Sequence, residues 1–131
     1  MKKHVLTLIL IYISVVAYSQ QSAKGIVYDD ANKNGKKDRR EAGIAEVAVS
    51  NGTDVVLTDA NGFYTLPLHE GNTLFVIKPK GYGIAVNEDF IPQFYYHYKP
   101  DGSPDTLKYK GVSPTGKLPE SVNFALFKQD E

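Results

Sequence analysis

The feature that most constrains this chain is its punctuation. Beyond residue 19, short runs of β-branched and aromatic residues are broken by turn chemistry, and no segment carries ten or more residues at helical period. The runs are residues 25–28, 46–50, 55–58, 63–68, 73–78 and 121–127. Asn51-Gly52-Thr53 predicts a hairpin between the second and third, and Asp59-Ala60-Asn61-Gly62 predicts another turn. Strands this short and this evenly spaced predict an all-β protein, an antiparallel β-sandwich of about seven strands. Closing one sheet on another should bury alternate side chains, with Val47, Val49, Phe63, Thr65, Phe75 and Ile77 expected to face inward.

One loop carries specific chemistry. Residues 30–41 read DANKNGKKDRRE and place oxygen-bearing side chains at Asp30, Asn32, Asn34, Asp38 and Glu41. Gly35 stands at the bend, and Lys36 occupies the seventh position, where only a backbone carbonyl is needed. This is the spacing of a twelve-residue calcium loop. A hard cation wants six to eight oxygens, and a chain converges that many only by wrapping tightly at a residue without a Cβ. The strand-like flanks predict a loop between two strands, not between two helices. Lys33, Lys36, Lys37, Arg39 and Arg40 are interleaved with the ligand positions and oppose cation binding. The alternative reading is a solvated turn whose Asx side chains cap their own backbone. A bound Ca2+ is expected to be structural and weakly held, on the order of 10⁻⁴ to 10⁻³ M.

The start of the chain reads as a secretory signal peptide over residues 1–19. Lys2 and Lys3 are followed by an apolar run to Ala17, and Ala17-Tyr18-Ser19 provides a small-residue cleavage site. The run is shorter than the roughly 20 residues of a membrane span. Export to the periplasm or the cell surface is therefore expected, with residues 20–131 as one β-sandwich domain. The leader holds two of the fifteen basic residues and none of the fifteen acidic ones, which leaves thirteen against fifteen, a net of −2. Neither nucleic acid nor an anionic membrane is suggested by that balance. With no cysteine, an exported domain must be held by its core, perhaps assisted by a metal.

Residues 83–119 are expected to be loop-rich. They carry the aromatic residues Phe94, Tyr95, Tyr96 and Tyr98, then a Pro/Gly-rich stretch. These four residues are candidate contacts for a partner domain or a sugar ring. The other reading is that Phe94 and Tyr96 alternate inward along a strand and complete the core.

Three stretches carry a resemblance. They are Gly25-Ile26-Val27-Tyr28-Asp29-Asp30 with the loop after it, Gly43-Ile44-Ala45-Glu46-Val47-Ala48-Val49, and Thr58-Asp59-Ala60-Asn61-Gly62-Phe63-Tyr64. They resemble the calcium-binding B-type repeats of bacterial surface adhesins. Over residues 23–128 the chain is more similar to the N-terminal domain of exported bacterial calcineurin-like metallophosphoesterases. That likeness adds Val49-Ser50-Asn51-Gly52, Lys78-Pro79-Lys80-Gly81-Tyr82, Phe94-Tyr95-Tyr96 and Asn123-Phe124-Ala125-Leu126-Phe127-Lys128. The resemblance implies an Ig-like or prealbumin-like sandwich, with a phosphoesterase catalytic domain as partner in cis or in trans.

The phosphoesterase chemistry itself rests on two metals held by several histidines and aspartates. Past the leader the chain has only His69 and His97, both read as surface or packing residues. No catalytic residues are expected. A non-catalytic accessory domain is therefore the first expectation. A stand-alone cell-surface binding module, adhesin-type or carbohydrate-binding, is the second. A transthyretin-like hydrolase is disfavoured, because Arg39 and Arg40 are the only arginines and lie within the loop.

Overall fold

β1 (Ser22–Asp29) alternates small or polar residues with apolar ones and becomes the organising strand. It pairs antiparallel with β4 (Phe63–Pro67) on one side and parallel with β8 (Phe124–Lys128) on the other. β6 (Tyr82–Ile84) closes this sheet against β8, giving the order β4-β1-β8-β6. The second sheet has the order β3-β2-β5-β7, built from β2 (Ala48–Ser50), β3 (Val55–Leu57), β5 (Thr73–Ile77) and β7 (Tyr95–His97). The computed structural model describes residues 20–106 and 110–130, so the expected leader at residues 1–19 lies outside the described residues.

The two four-stranded sheets form the expected β-sandwich, and no helix occurs among the described residues. One pair departs from the antiparallel expectation. β8 lies parallel to β1, which the long crossover between them, residues 30–123, permits.

The core lies between the sheets. Val27, Tyr64, Leu66, Phe124 and Leu126 from one side meet Val49, Leu74 and Val76 from the other. Val47 and Val49 point inward as expected. The expected inward positions Phe63, Thr65, Phe75 and Ile77 have the opposite parity: Tyr64, Leu66, Leu74 and Val76 are buried, while Phe63 and Ile77 are exposed. β5 is apolar on both faces, so its own alternation does not choose; the register Val49↔Val76 does. In β4 the choice falls on Tyr64 because its hydroxyl, once buried, donates to the carbonyl of Val122. Its ring also packs 6.2 Å from that of Phe124.

Motif residues that looked chemical turn out to hold turns. Thr58 is buried; its Oγ1 accepts from the Val47 N–H at 2.9 Å and donates to the Ile44 carbonyl at 2.6 Å. Asn51 Oδ1 accepts from the N–H groups of Thr53 and Asp54, and its Nδ2 donates to the Pro67 carbonyl at 2.7 Å, joining the two sheets. Asp59 Oδ1 accepts from the N–H groups of Asn61 and Phe63. These side chains satisfy backbone donors that the tight turns would otherwise orphan.

The segment 83–119 contains the end of β6 and all of β7, and backbone bonds also tie together parts of its described remainder. Ser103 N–H donates to Val112 O at 2.8 Å, and Thr115 N–H donates to Lys99 O at 3.0 Å.

Candidate functional site

The loop that follows β1 begins with a fully buried carboxylate. Asp30 donates its own N–H to Leu126 O at 2.6 Å, so the start of the loop is anchored to β8. Its Oδ1 accepts from the Asn34 N–H at 3.1 Å and its Oδ2 from the Gly35 N–H at 2.8 Å. The chain can wrap back over that carboxylate because Lys33 and Gly35 take positive φ, +57° and +72°. At its far end the loop is closed by Asp29 N–H donating to Ala42 O at 2.9 Å and Ile44 N–H donating to Val27 O at 2.8 Å.

Within the loop the expected ligand residues face one another. Asp38 Oδ2 accepts from Asn32 Nδ2 at 2.6 Å and from Asn34 Nδ2 at 2.9 Å. Asn34 Oδ1 accepts from the Lys36 N–H at 2.8 Å, and Asn32 Oδ1 from the Asn34 N–H at 3.1 Å. Glu41 Oε2 accepts from the Asp38 N–H at 2.9 Å. Its other oxygen, Oε1, is buried with no hydrogen-bond partner. A buried carboxylate oxygen without a donor is costly, since desolvation is not repaid.

Of the cations interleaved with the ligand positions, Lys33 reaches across to β8, whereas Lys37 stays within the loop. Lys33 Nζ sits 4.4 Å from the ring centre of Phe127, and Lys37 Nζ donates to the Asp38 carbonyl at 2.8 Å. Lys128 pairs with Asp29 at 3.6 Å. Phe127 and Leu126, whose carbonyl accepts from Asp30, both belong to β8, so the loop grips the end of that strand. Among the described residues no three His, Cys, Asp or Glu side chains group as a metal cluster. A cation here would therefore need the amide oxygens of Asn32 and Asn34 and the Lys36 carbonyl alongside the carboxylates.

Sequence reasoning overlooked Tyr28, which precedes the loop and is buried beside it. Burial pushes its hydroxyl up to about 12, and the negative charges of Asp30, Glu41 and Asp38 push the same way. The signal was present: a tyrosine followed at once by two aspartates. A hydroxyl whose folded value exceeds its ordinary one stabilises the fold fully below pH 10, and that contribution is lost as pH rises through about 12. Alkaline unfolding followed by circular dichroism should therefore fall more steeply between pH 10 and 12 in the natural protein than in Tyr28→Phe. Burial raises Tyr64 as well, but it is shared by both proteins and cancels in the comparison.

The aromatic residues divide. Phe94 and Tyr95 remain at the surface, in an edge-to-face pair 5.2 Å apart. Tyr96 is half-buried against the core. Tyr98 is buried, its hydroxyl bonded to Gln21 Oε1 at 3.1 Å, so its ring packs inside and offers no surface to a partner. Inward alternation along β7 explains both. His97 bonds the hydroxyl of Thr73 at 2.9 Å, and His69 is exposed in a turn.

Comparison with known proteins adds two findings. A family model described as the N terminal of calcineurin-like phosphoesterase matches residues 31–113. Colossin-A of Dictyostelium discoideum is 48% identical over 70 residues, which is 50% of this chain. The chain spans about 1% of the length of that curated relative.

Proposed function

Because this chain belongs to the family of N-terminal domains of calcineurin-like phosphoesterases, we propose that it is a non-catalytic accessory domain that braces and orients a phosphoesterase catalytic domain. The observation that carries this reading is the grip on β8. That strand lies between β1 and β6; the 30–41 loop holds it through Asp30 N–H to Leu126 O and through Lys33 over Phe127, and Lys128 pairs with Asp29 at the end of β1. A polypeptide continuing from β8 would leave a clamped strand end, which is what a rigid mount requires. The leader-like residues 1–19 support export, so the assembly would work in the periplasm or at the cell surface.

The loop is read as a structural Ca2+ site, held by Asp30, Asn32, Asn34, Asp38 and Glu41 through side-chain oxygens and by Lys36 through its carbonyl. The unpartnered Glu41 Oε1 supports this. So do the two amides already directed at Asp38, since a half-turn of each exchanges its NH2 group for its oxygen. When bound, the ion would cross-link the loop and supply no catalytic chemistry.

The accessory role is tested by the thermal inactivation half-life of the phosphoesterase with and without this domain. Deleting the domain is expected to shorten the half-life several-fold while leaving the chemistry itself intact. Equal half-lives would overturn the bracing role. Phosphodiester cleavage by the isolated chain would overturn its non-catalytic assignment. Glycan binding by the free chain, with no effect on the enzyme, would favour the surface-module reading instead.

A further inference from the structure

The register of the second sheet places an apolar surface on its outer side. One row across the strands reads Leu57–Ala48–Ile77, and the next reads Val55–Ser50–Phe75–Tyr95. Leu57 is 62% exposed, Val55 60%, Ile77 49% and Tyr95 45%. The third row pairs Thr73 with His97, and no lysine, arginine, aspartate or glutamate stands in any of the three. The fold does not demand this. On the outer side of the other sheet the β1–β4 ladder is mixed: Lys24 faces Thr65 and Ser22 faces Pro67, and one pair, Ile26–Phe63, is apolar. An antiparallel sheet that is apolar on both faces is one whose second face is covered.

We propose that the outer face of the β3-β2-β5-β7 sheet is the docking surface for the phosphoesterase domain; this rests on the accessory reading above and names the surface it uses. Size favours a tethered occupant. Four strands about 4.8 Å apart, three of them three residues long and one of five, present roughly 200–300 Å². Free partners that form stable complexes bury about 800 Å² each. A domain joined by a short linker meets its neighbour at an effective concentration in the millimolar range, so a smaller apolar contact suffices. A second copy of this chain has no such advantage, and the family places the domain beside a phosphoesterase.

Hydroxyl-radical footprinting tests this on the full chain, alone and joined to a calcineurin-like phosphoesterase domain. Oxidation of Leu57, Phe75, Ile77 and Tyr95 is expected to fall several-fold on joining, with Phe63 on the opposite sheet unchanged. The double variant Leu57→Glu/Ile77→Glu should restore oxidation of Phe75 and Tyr95. The footprint of the unmutated protein stands by itself should that variant fold poorly. Protection confined to other residues would overturn the face and leave the accessory role standing. No protection anywhere, together with an enzyme indifferent to the domain, would overturn both. Concentration-dependent protection in the free chain would assign the face to a second copy and overturn the proposal.

Discussion

Gly25→Ala is expected to abolish the native fold, with a loss of about 4 kcal/mol or more, a large share of a small domain's total stability. A methyl group at residue 25 would overlap the backbone carbonyl of Val122 and lie 2.9 Å from the Tyr64 hydroxyl. Neither neighbour can give way cheaply. The Val122 carbonyl receives the Tyr64 hydroxyl, and the Val122 N–H donates to Lys24 O at 2.9 Å. Pushing residue 122 aside also disturbs the Ile26 N–H bond to Asn123 Oδ1 and the parallel pairing that follows at Val27↔Phe124. Urea unfolding followed by circular dichroism measures the effect. Lys24→Ala, one residue earlier and exposed, is the matched control and should change stability by no more than about 0.5 kcal/mol. If Gly25→Ala matches that control, the close crossing of residues 122–123 over β1 is not part of the folded protein.

Millimolar Ca2+ is expected to raise the melting temperature, and chelator to reverse the rise. A ligand that binds only the folded state adds RT ln(1 + [L]/Kd), which at 1 mM Ca2+ and a Kd on the order of 10⁻⁴ to 10⁻³ M is about 0.4 to 1.4 kcal/mol. In a domain of this size that corresponds to a rise of roughly 2–8 °C. Glu41→Ala should remove the response to Ca2+. It should cost the metal-free protein only about 1 kcal/mol, because Glu41 Oε2 accepts one hydrogen bond from Asp38 while its Oε1 accepts none. Unchanged melting at millimolar Ca2+ would make the 30–41 loop a self-capping turn. Outright unfolding of metal-free Glu41→Ala would make Glu41 a purely structural residue.

Much of this was legible in the residues because it is local. Short runs separated by Asn-Gly and Asp-x-x-Gly turns gave away the sandwich, and the spacing of Asp30, Asn32, Asn34, Asp38 and Glu41 marked out a tight loop whose side chains bond to one another and to its backbone. What escaped was non-local. β6 and β7 have three residues each and exist because β8 and β5 offer them ladders, at Tyr82↔Lys128 and Phe75↔Tyr95. Their own residues carry no period long enough to read. The inward parity of β4 and β5 failed for a related reason. Phe63 and Tyr64, or Leu74 and Phe75, are equally acceptable inside on hydrophobicity alone. A hydroxyl partner from residue 122 and a register with Val49 made the choice. The misjudged side of β5 became the apolar outer face. Tyr98 was misplaced for the complementary reason: its hydroxyl finds Gln21, 77 residues away, which no window along the chain can show.

The placement of β8 sets a rule for how this polypeptide can acquire its shape. A ribosome delivers residues 124–128 after the other seven strands of this sandwich, yet they fill the gap between β1 and β6. Until they arrive, β6 has no neighbour in its own sheet and the buried carboxylate of Asp30 lacks the Leu126 carbonyl that receives its backbone N–H. Assembly of this domain is thus withheld until its eighth strand has been made, and a product cut short before Phe124 would be left with a half-built layer and an unlatched loop.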